Sequence, residues 1–119
     1  MGGTSVHGTT GAASAIRAGE PVLTLINVFT VAPERQEELI ALLDRATVEV
    51  MRHQPGFVSA NIHRSLDGTR VVNYAQWSSR AAFEAVLRDP AAREHMGAAA
   101  RMAGFEPVLY EVASVHRAA

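Results

Sequence analysis

Two alternating apolar runs, Phe57 to Leu66 and Thr69 to Ser78, meet at Asp67-Gly68, and nothing else in the chain restricts its fold as tightly. Asp-Gly between such runs signals a β-hairpin, because the tight turn needs residues that tolerate positive φ. A hairpin fixes two antiparallel neighbours and therefore which side chains share a face. On the second strand, Val71, Asn73, Ala75 and Trp77 fall on one side, and Val72, Tyr74 and Gln76 on the other. An amide and the only tryptophan of the chain thus stand together on an apolar strand. Two readings fit. Asn73 and Trp77 are either a satisfied core amide beside a core ring, or the wall of a pocket for a flat ligand. In the second case the amide orients the ligand, and the indole stacks on it or donates from its N–H.

The remaining elements follow from two alternating periods. Val22 to Val31 is rich in β-branched and aromatic residues and reads as a strand. Pro33 then suits the first turn of a helix running from about Glu34 to Arg52, whose early acids Glu34, Glu37 and Glu38 favour its N-terminal dipole. Leu39, Leu42, Leu43, Ala46 and Val50 supply its apolar stripe, and His53-Gln54-Pro55-Gly56 stops it. A second helical stretch starts at Ser78-Ser79, breaks at Asp89-Pro90 and resumes to about Met102. Gly104 reads as its stop, and Pro107 to His116 as the fourth strand. The order βαββαβ predicts an α+β, ferredoxin-like fold: a four-stranded antiparallel sheet with its helices on one face.

Both faces of that sheet carry apolar side chains. Leu23, Leu25 and Phe29 oppose Val22, Ile26 and Val28; Val58, Ala60 and Ile62 oppose Phe57; Val108, Tyr110 and Val112 oppose Leu109, Ala113 and Val115. Helices cover only one face, so the other predicts a second sheet supplied by an isologous homodimer. Val58, Ile62, Val72 and Tyr74 are expected at or near that contact.

At 119 residues the chain suits one domain, with 11 Lys+Arg against 12 Asp+Glu and no run of either sign. That balance gives no footprint for nucleic acid or an anionic membrane. The absence of cysteine rules out disulfides, thiolate metal sites and a cysteine nucleophile, and is compatible with a cytoplasmic location. No apolar stretch approaches the roughly 20 residues that span a bilayer. Residues 1–20 are rich in Gly, Ser, Thr and Ala and read as a flexible tail, with His7 incidental, and residues 21–119 as the domain.

From Pro55 to Trp77 the chain reads P-G-F-V-S-A-N-I-H-R-S-L-D-G-T-R-V-V-N-Y-A-Q-W, and this segment resembles the antibiotic biosynthesis monooxygenase family. Asp67 to Trp77 is its most specific part. V-x-P-x-x-x-x-E-x-L in the first helix and D-P-x-x-R-E-H in the second also fit, so the likeness runs from about Leu23 to His116. It implies a dimeric α+β barrel. Similarity to small, cofactor-independent, actinorhodin-type members further implies a monooxygenase acting with O₂ on a phenolic, quinol or anthrone-like polycycle, without metal or flavin. Asn73 and Trp77 match the residues that contact the phenol in those members and support its oxidation, both donating to the developing oxyanion. A family tyrosine falls at Phe83, which has no hydroxyl, and a family arginine finds only Arg93 as a loose counterpart. The expected cavity is lined by Asn27, Phe29, Asn73, Trp77 and Phe83, with Leu39, Leu43 and Val86 as its greasier wall.

No histidine pair has zinc-binding spacing, and no carboxylate cluster accompanies one, so a structural or exposed role is the default for His63, His95 and His116. His95 also resembles the axial ligand of heme-degrading relatives of this fold. Their first-strand asparagine falls at Asn27, but their essential tryptophan falls at Val86. Heme or reduced flavin therefore stands behind a cofactor-free site that holds a small aromatic substrate. A non-catalytic ligand-binding protein of the same fold is the third reading.

Overall fold

The computed structural model describes residues 12–119. Strand β1 (Leu23–Val31) leads through a short 3₁₀ turn at Pro33–Arg35 into helix α1 (Gln36–Glu49). A second 3₁₀ turn (Met51–His53) precedes the hairpin of β2 (Phe57–Arg64) and β3 (Arg70–Trp77). Helices α2 (Arg80–Val86) and α3 (Pro90–Ala100) follow, then β4 (Ala103–Tyr110). The sheet is antiparallel with order β2-β3-β1-β4, the ferredoxin-like plan.

Local chemistry accounts for the boundaries. The Ser79 hydroxyl accepts from the Ala82 N–H at 3.0 Å to start α2, and the Asp89 carboxylate accepts from the Ala92 N–H at 2.9 Å to start α3. Asp89-Pro90 thus ends one helix and begins the next, with Pro90 in the first turn. In the hairpin, Gly68 takes φ +82°. The Asp67 carboxylate accepts from the Thr69 N–H, the Thr69 hydroxyl and the Ser65 hydroxyl, which hold its pKa down to about 2. The buried Gln36 amide donates to the carbonyls of Ser65 and Arg70, at 3.1 and 2.9 Å, and so ties both arms of the hairpin to the start of α1.

Three expectations from the sequence are corrected. The fourth strand is Ala103–Tyr110, not Pro107 to His116. Gly104 does not end the helix, and its φ is not positive. Pro107 lies within the strand, which is possible because β4 is an edge strand and a proline there need not donate to the ladder. Second, Ile62 faces the helices. The pairing shifts by one residue between Phe57 and Ser59, where Phe57 opposes Trp77 but Ser59 opposes Gln76. This bulge at Val58 reverses the parity expected for Phe57. Ile62 pairs with Asn73 and packs on the main core, while Ser59, Asn61 and His63 lie on the outer face. Third, part of the expected tail touches the sheet. The Gln76 amide donates to the Ala15 carbonyl at 2.9 Å, and the Ser14 hydroxyl to the Asn61 side-chain oxygen at 2.7 Å. Residues 1–11, His7 among them, lie outside the described residues.

Gly56 controls the entry to that bulge. Its φ is +86°, and a Cβ there would collide with Ala82 Cβ and Ser78 Oγ. Its carbonyl accepts from the Ser78 N–H at 2.7 Å, which sets the end of β3 against the start of β2. Gly56→Ala is expected to lower stability by about 2–4 kcal/mol, through backbone strain and overpacking together. Gly104→Ala meets nothing within 4 Å and should stay within about 0.5 kcal/mol of the parent. Denaturant midpoints of the two variants check the contrast.

Candidate active site

The helix-facing core is in two pieces. One cluster holds Phe29, Val31, Leu39, Leu42, Val71 and Ala99; the other holds Val50, Trp77, Val86 and Ala92. They occupy opposite ends of the strands. On β1, Leu23 packs on the second cluster and Phe29 and Val31 belong to the first, with Leu25 and Asn27 between them. On β3, Val71 and Trp77 anchor the two ends, with Asn73 and Ala75 between.

A cavity of about 360 Å³ opens in this gap, over the β1–β4 half of the sheet. The sheet supplies Leu25, Asn27 and Phe29 from β1 and Phe105, Pro107 and Leu109 from β4. From above come Leu43 and Ala46 of α1, Met51, Phe83 of α2, Leu87, and His95, Met96 and Ala99 of α3. Asn27 and His95 are the only polar side chains in this lining. A volume of this size, walled by rings and thioethers with a few polar groups, suits a planar aromatic ligand.

The residues singled out from sequence separate into two layers. Asn27, Phe29, Leu43, Phe83 and His95 line the cavity. Asn73 lies directly across the strand pair from Asn27, on the same face. Trp77 is 3 % exposed and packs between Phe57, edge-on at 5.4 Å, and Phe83 at 6.2 Å between ring centroids. Phe83 therefore stands between the indole and the open space. Leu39 belongs to the first core cluster and Val86 to the second, beside Trp77; neither is in the cavity lining. Arg93 is exposed and is not in the lining either. His63 and His116 are exposed as well.

Buried polar atoms without partners mark the same place. Asn27 Oδ1, Asn73 Oδ1 and Trp77 Nε1 are inaccessible and unbonded; the remaining such atom among the described residues, Thr24 Oγ1, belongs to the outer face. Each orphan of this kind costs about 1–3 kcal/mol, so three on the helix-facing side of the sheet call for a reason. A carboxamide presents either its oxygen or its N–H₂ after rotation about its terminal bond, so both asparagines are able to donate as well as accept. The indole only donates. No group of three or more His, Cys, Asp or Glu side chains that could hold a metal occurs among the described residues.

Sequence reasoning missed the β4 wall, because Phe105 lay outside the strand it placed there. It also missed Met51 and Met96, whose unbranched side chains carry no periodic signal that separates core from cavity. A second groove, of about 640 Å³, runs along the β2 edge between α1 and residues 12–14, but it borders none of the three orphaned atoms of the helix face except through Ile62 and Phe57.

Comparisons with known proteins point the same way. The chain is 47% identical over 91 residues to the tetracenomycin-F1 monooxygenase of Streptomyces glaucescens, covering 76% of this chain and 81% of that protein. The crystal structure of the monooxygenase from the gene ActVA-Orf6 of Streptomyces coelicolor, in complex with nanaomycin D, superposes with a TM-score of 0.74 at 32% identity, over 82% of this chain and 92% of the other. SnoaB of Streptomyces nogalater, a cofactor-independent oxygenase, superposes with a TM-score of 0.68 at 30% identity, over 80% and 96%. The family pattern of antibiotic biosynthesis monooxygenases matches residues 22–98, well over half of the sequence, and the chain belongs to that family.

Proposed function

We propose that this chain oxidises a phenolic, anthrone-like polycycle with O₂, without metal or flavin, as a step in the assembly of an aromatic polyketide. The observation that carries this reading is the set of unpartnered buried atoms: Asn27 Oδ1 in the floor of an otherwise apolar cavity, and Asn73 Oδ1 and Trp77 Nε1 in the row behind it. The activities of the relatives, a tetracenomycin-F1 monooxygenase and a cofactor-independent oxygenase, support the same reaction class.

In this reading the substrate is its own reductant. Loss of a proton from the phenol or the activated ring methylene gives a delocalised anion. The anion passes one electron to O₂, and the radical pair recombines to form a C–O bond. Loss of water from the resulting hydroperoxide converts the methylene to a carbonyl. The carbon gives up two hydrogens and takes one oxygen atom, the second oxygen leaves as water, and four electrons pass from substrate to O₂. The fold contributes three things. The apolar walls bind the rings and exclude bulk water, and amide groups of the sheet, backed by the indole N–H, lie on the side where negative charge collects. Asn27 meets the substrate from the cavity floor, while Asn73 and Trp77 act from the row behind it.

Asn73→Ala is expected to leave affinity within about threefold and to lower turnover on the order of 100-fold, because its amide matters most as charge develops. Trp77→Phe keeps an aromatic ring but loses the N–H donor and the fused five-membered ring, so it should also lower kcat. Oxygen uptake with an anthrone, no cofactor added, checks both variants beside the parent. Full turnover in both would refute the oxyanion role.

The reading includes a homodimer in the cytoplasm. No helix among the described residues is long and apolar enough to cross a membrane. The outer sheet face presents Ile26, Val28, Val72, Tyr74 and Val108, and Val108 and Tyr110 are 41% and 46% exposed. A partner sheet would cover this surface. Val72→Asp, which places a charge at its centre, is expected to abolish the dimer. Sedimentation showing a folded monomer of the parent protein at micromolar concentration would refute the assembly.

The heme-degrading alternative shares Asn27 and His95 at the cavity, but Val86 is packed in the core where that chemistry needs a ring. Added hemin is accordingly expected to give no Soret shift that His95→Ala removes.

A further inference from the structure

The proposed reaction requires a proton to leave the substrate before an electron can, and one cavity residue is built to receive it. The α3 stripe facing the sheet reads Ala92, His95, Met96, Ala99, a helical spacing in which the imidazole is the only group not aliphatic or thioether. It sits between the two core clusters: Ala92 and Met96 pack on one, Ala99 on the other. Of the side chains lining the cavity, His95 alone is ionisable. Among the described residues no hydrogen bond or ion pair engages its ring. Even the exposed His53 satisfies a ring nitrogen on the Val48 carbonyl at 3.0 Å, and a histidine packed in place for structure alone would be expected to do the same.

The opposing elements leave the imidazole without an electrostatic partner. On α1, Asp44 faces the groove along the β2 edge. On α2, Glu84 pairs with Arg80 at 3.2 Å. Glu106 of β4 pairs with Val28 across the strands and lies on the outer face. Arg93 and Glu94 of α3 itself, and Arg101 just after it, are exposed. An imidazole with an unbonded nitrogen, lining an apolar cavity, has an acceptor to offer a substrate. Phe83 has no hydroxyl to take this part.

We propose that His95 is the catalytic base: its imidazole takes the proton of the bound phenol or activated methylene, and the imidazolium so formed stays beside the anion. The N–H bond forms as the substrate's O–H or C–H bond breaks, the electron pair remains on the ring system, and no other reactant is consumed. The anion then lies between a positive charge from α3 and the Asn27 and Asn73 amides from the sheet floor. This assignment rests on the oxygenase reading above, and a non-reacting probe separates the two.

Two measurements test it. With dithranol, a dihydroxyanthrone, as the oxidised probe, His95→Gln is expected to lower kcat by on the order of 100-fold with KM within about threefold. It should also flatten the acidic limb of the pH–rate profile, and added imidazole should restore part of the activity of His95→Ala. With alizarin, a dihydroxyanthraquinone already oxidised, the colour change of the bound dye reports phenol ionisation directly. The parent protein should bind the dye as phenolate about one pH unit lower than His95→Gln does. Unchanged kcat and pH profile in His95→Gln, or identical ionisation of dye bound to both proteins, would overturn the proposal, as would failure of the parent to bind the dye. A His95-dependent dye shift in a parent that takes up no oxygen with dithranol would retain His95 as a base and reject the oxygenase reading.

Discussion

The helix-facing core does not close across the middle of the sheet, and the site follows from that gap. Large side chains occupy both ends of the central strands: Phe29, Val31 and Val71 at one, Leu23 and Trp77 at the other. Between them, two paired positions are given to Asn27 and Asn73, which are opposite one another across the ladder. Amides at the centre of a sheet cannot be packed over by Leu or Val without stranding their polar ends. The helices respond with Ala46, Ala99 and His95 over this region, and open space remains.

The bulge at Val58 sets the other boundary of the gap. It turns Phe57 onto the helix face, where the ring meets Trp77 edge-on at 5.4 Å. With Phe83 on its other side, the indole is clamped, and its N–H is held in place without a partner. A donor fixed this way needs no reorganisation when charge appears nearby, which is the property an oxyanion site requires. Gly56 makes the arrangement possible, since no other residue combines its positive φ with the close approach of Ala82.

The fold was largely legible in the sequence because its elements are punctuated by residues with one strong meaning. Asp67-Gly68, Asp89-Pro90 and Ser79 each did in the structure what their chemistry dictates. The errors have the opposite origin. Pro107 and Gly104 usually interrupt, but an edge strand tolerates both. The Val58 bulge has no local signature, and its one-residue change of parity put Ile62 on the same face as Phe57 rather than the opposite one. At the site, strand parity put Asn73 and Trp77 on one face, helical spacing put Leu43 in the apolar stripe of the first helix, and only the family resemblance singled out His95. What no periodicity conveys is depth. Leu39 and Leu43 share one stripe, yet Leu39 is sealed in the core while Leu43 borders the cavity. That distinction depends on how far the β1–β4 and β2–β3 halves of the sheet are filled, which is a property of all the elements together.

An apolar cavity by itself works against the chemistry proposed for it. Removing a phenol from water disfavours its anion, and the anion is the species that reduces O₂. The same low dielectric strengthens every hydrogen bond and charge that faces the anion. In the proposed reaction the balance rests on a few groups on two sides: Asn27 and Asn73 from the sheet, with the Trp77 N–H behind, and the imidazole of His95 from α3. Their lack of mutual hydrogen bonds is what keeps them available. An Asn27 carbonyl bonded to His95 would spare the empty protein a cost of about 1–3 kcal/mol, but it would have to be broken for each turnover. On that proposal, the unsatisfied state is stability given up in the resting protein so that the polar groups meet charge only when the substrate brings it.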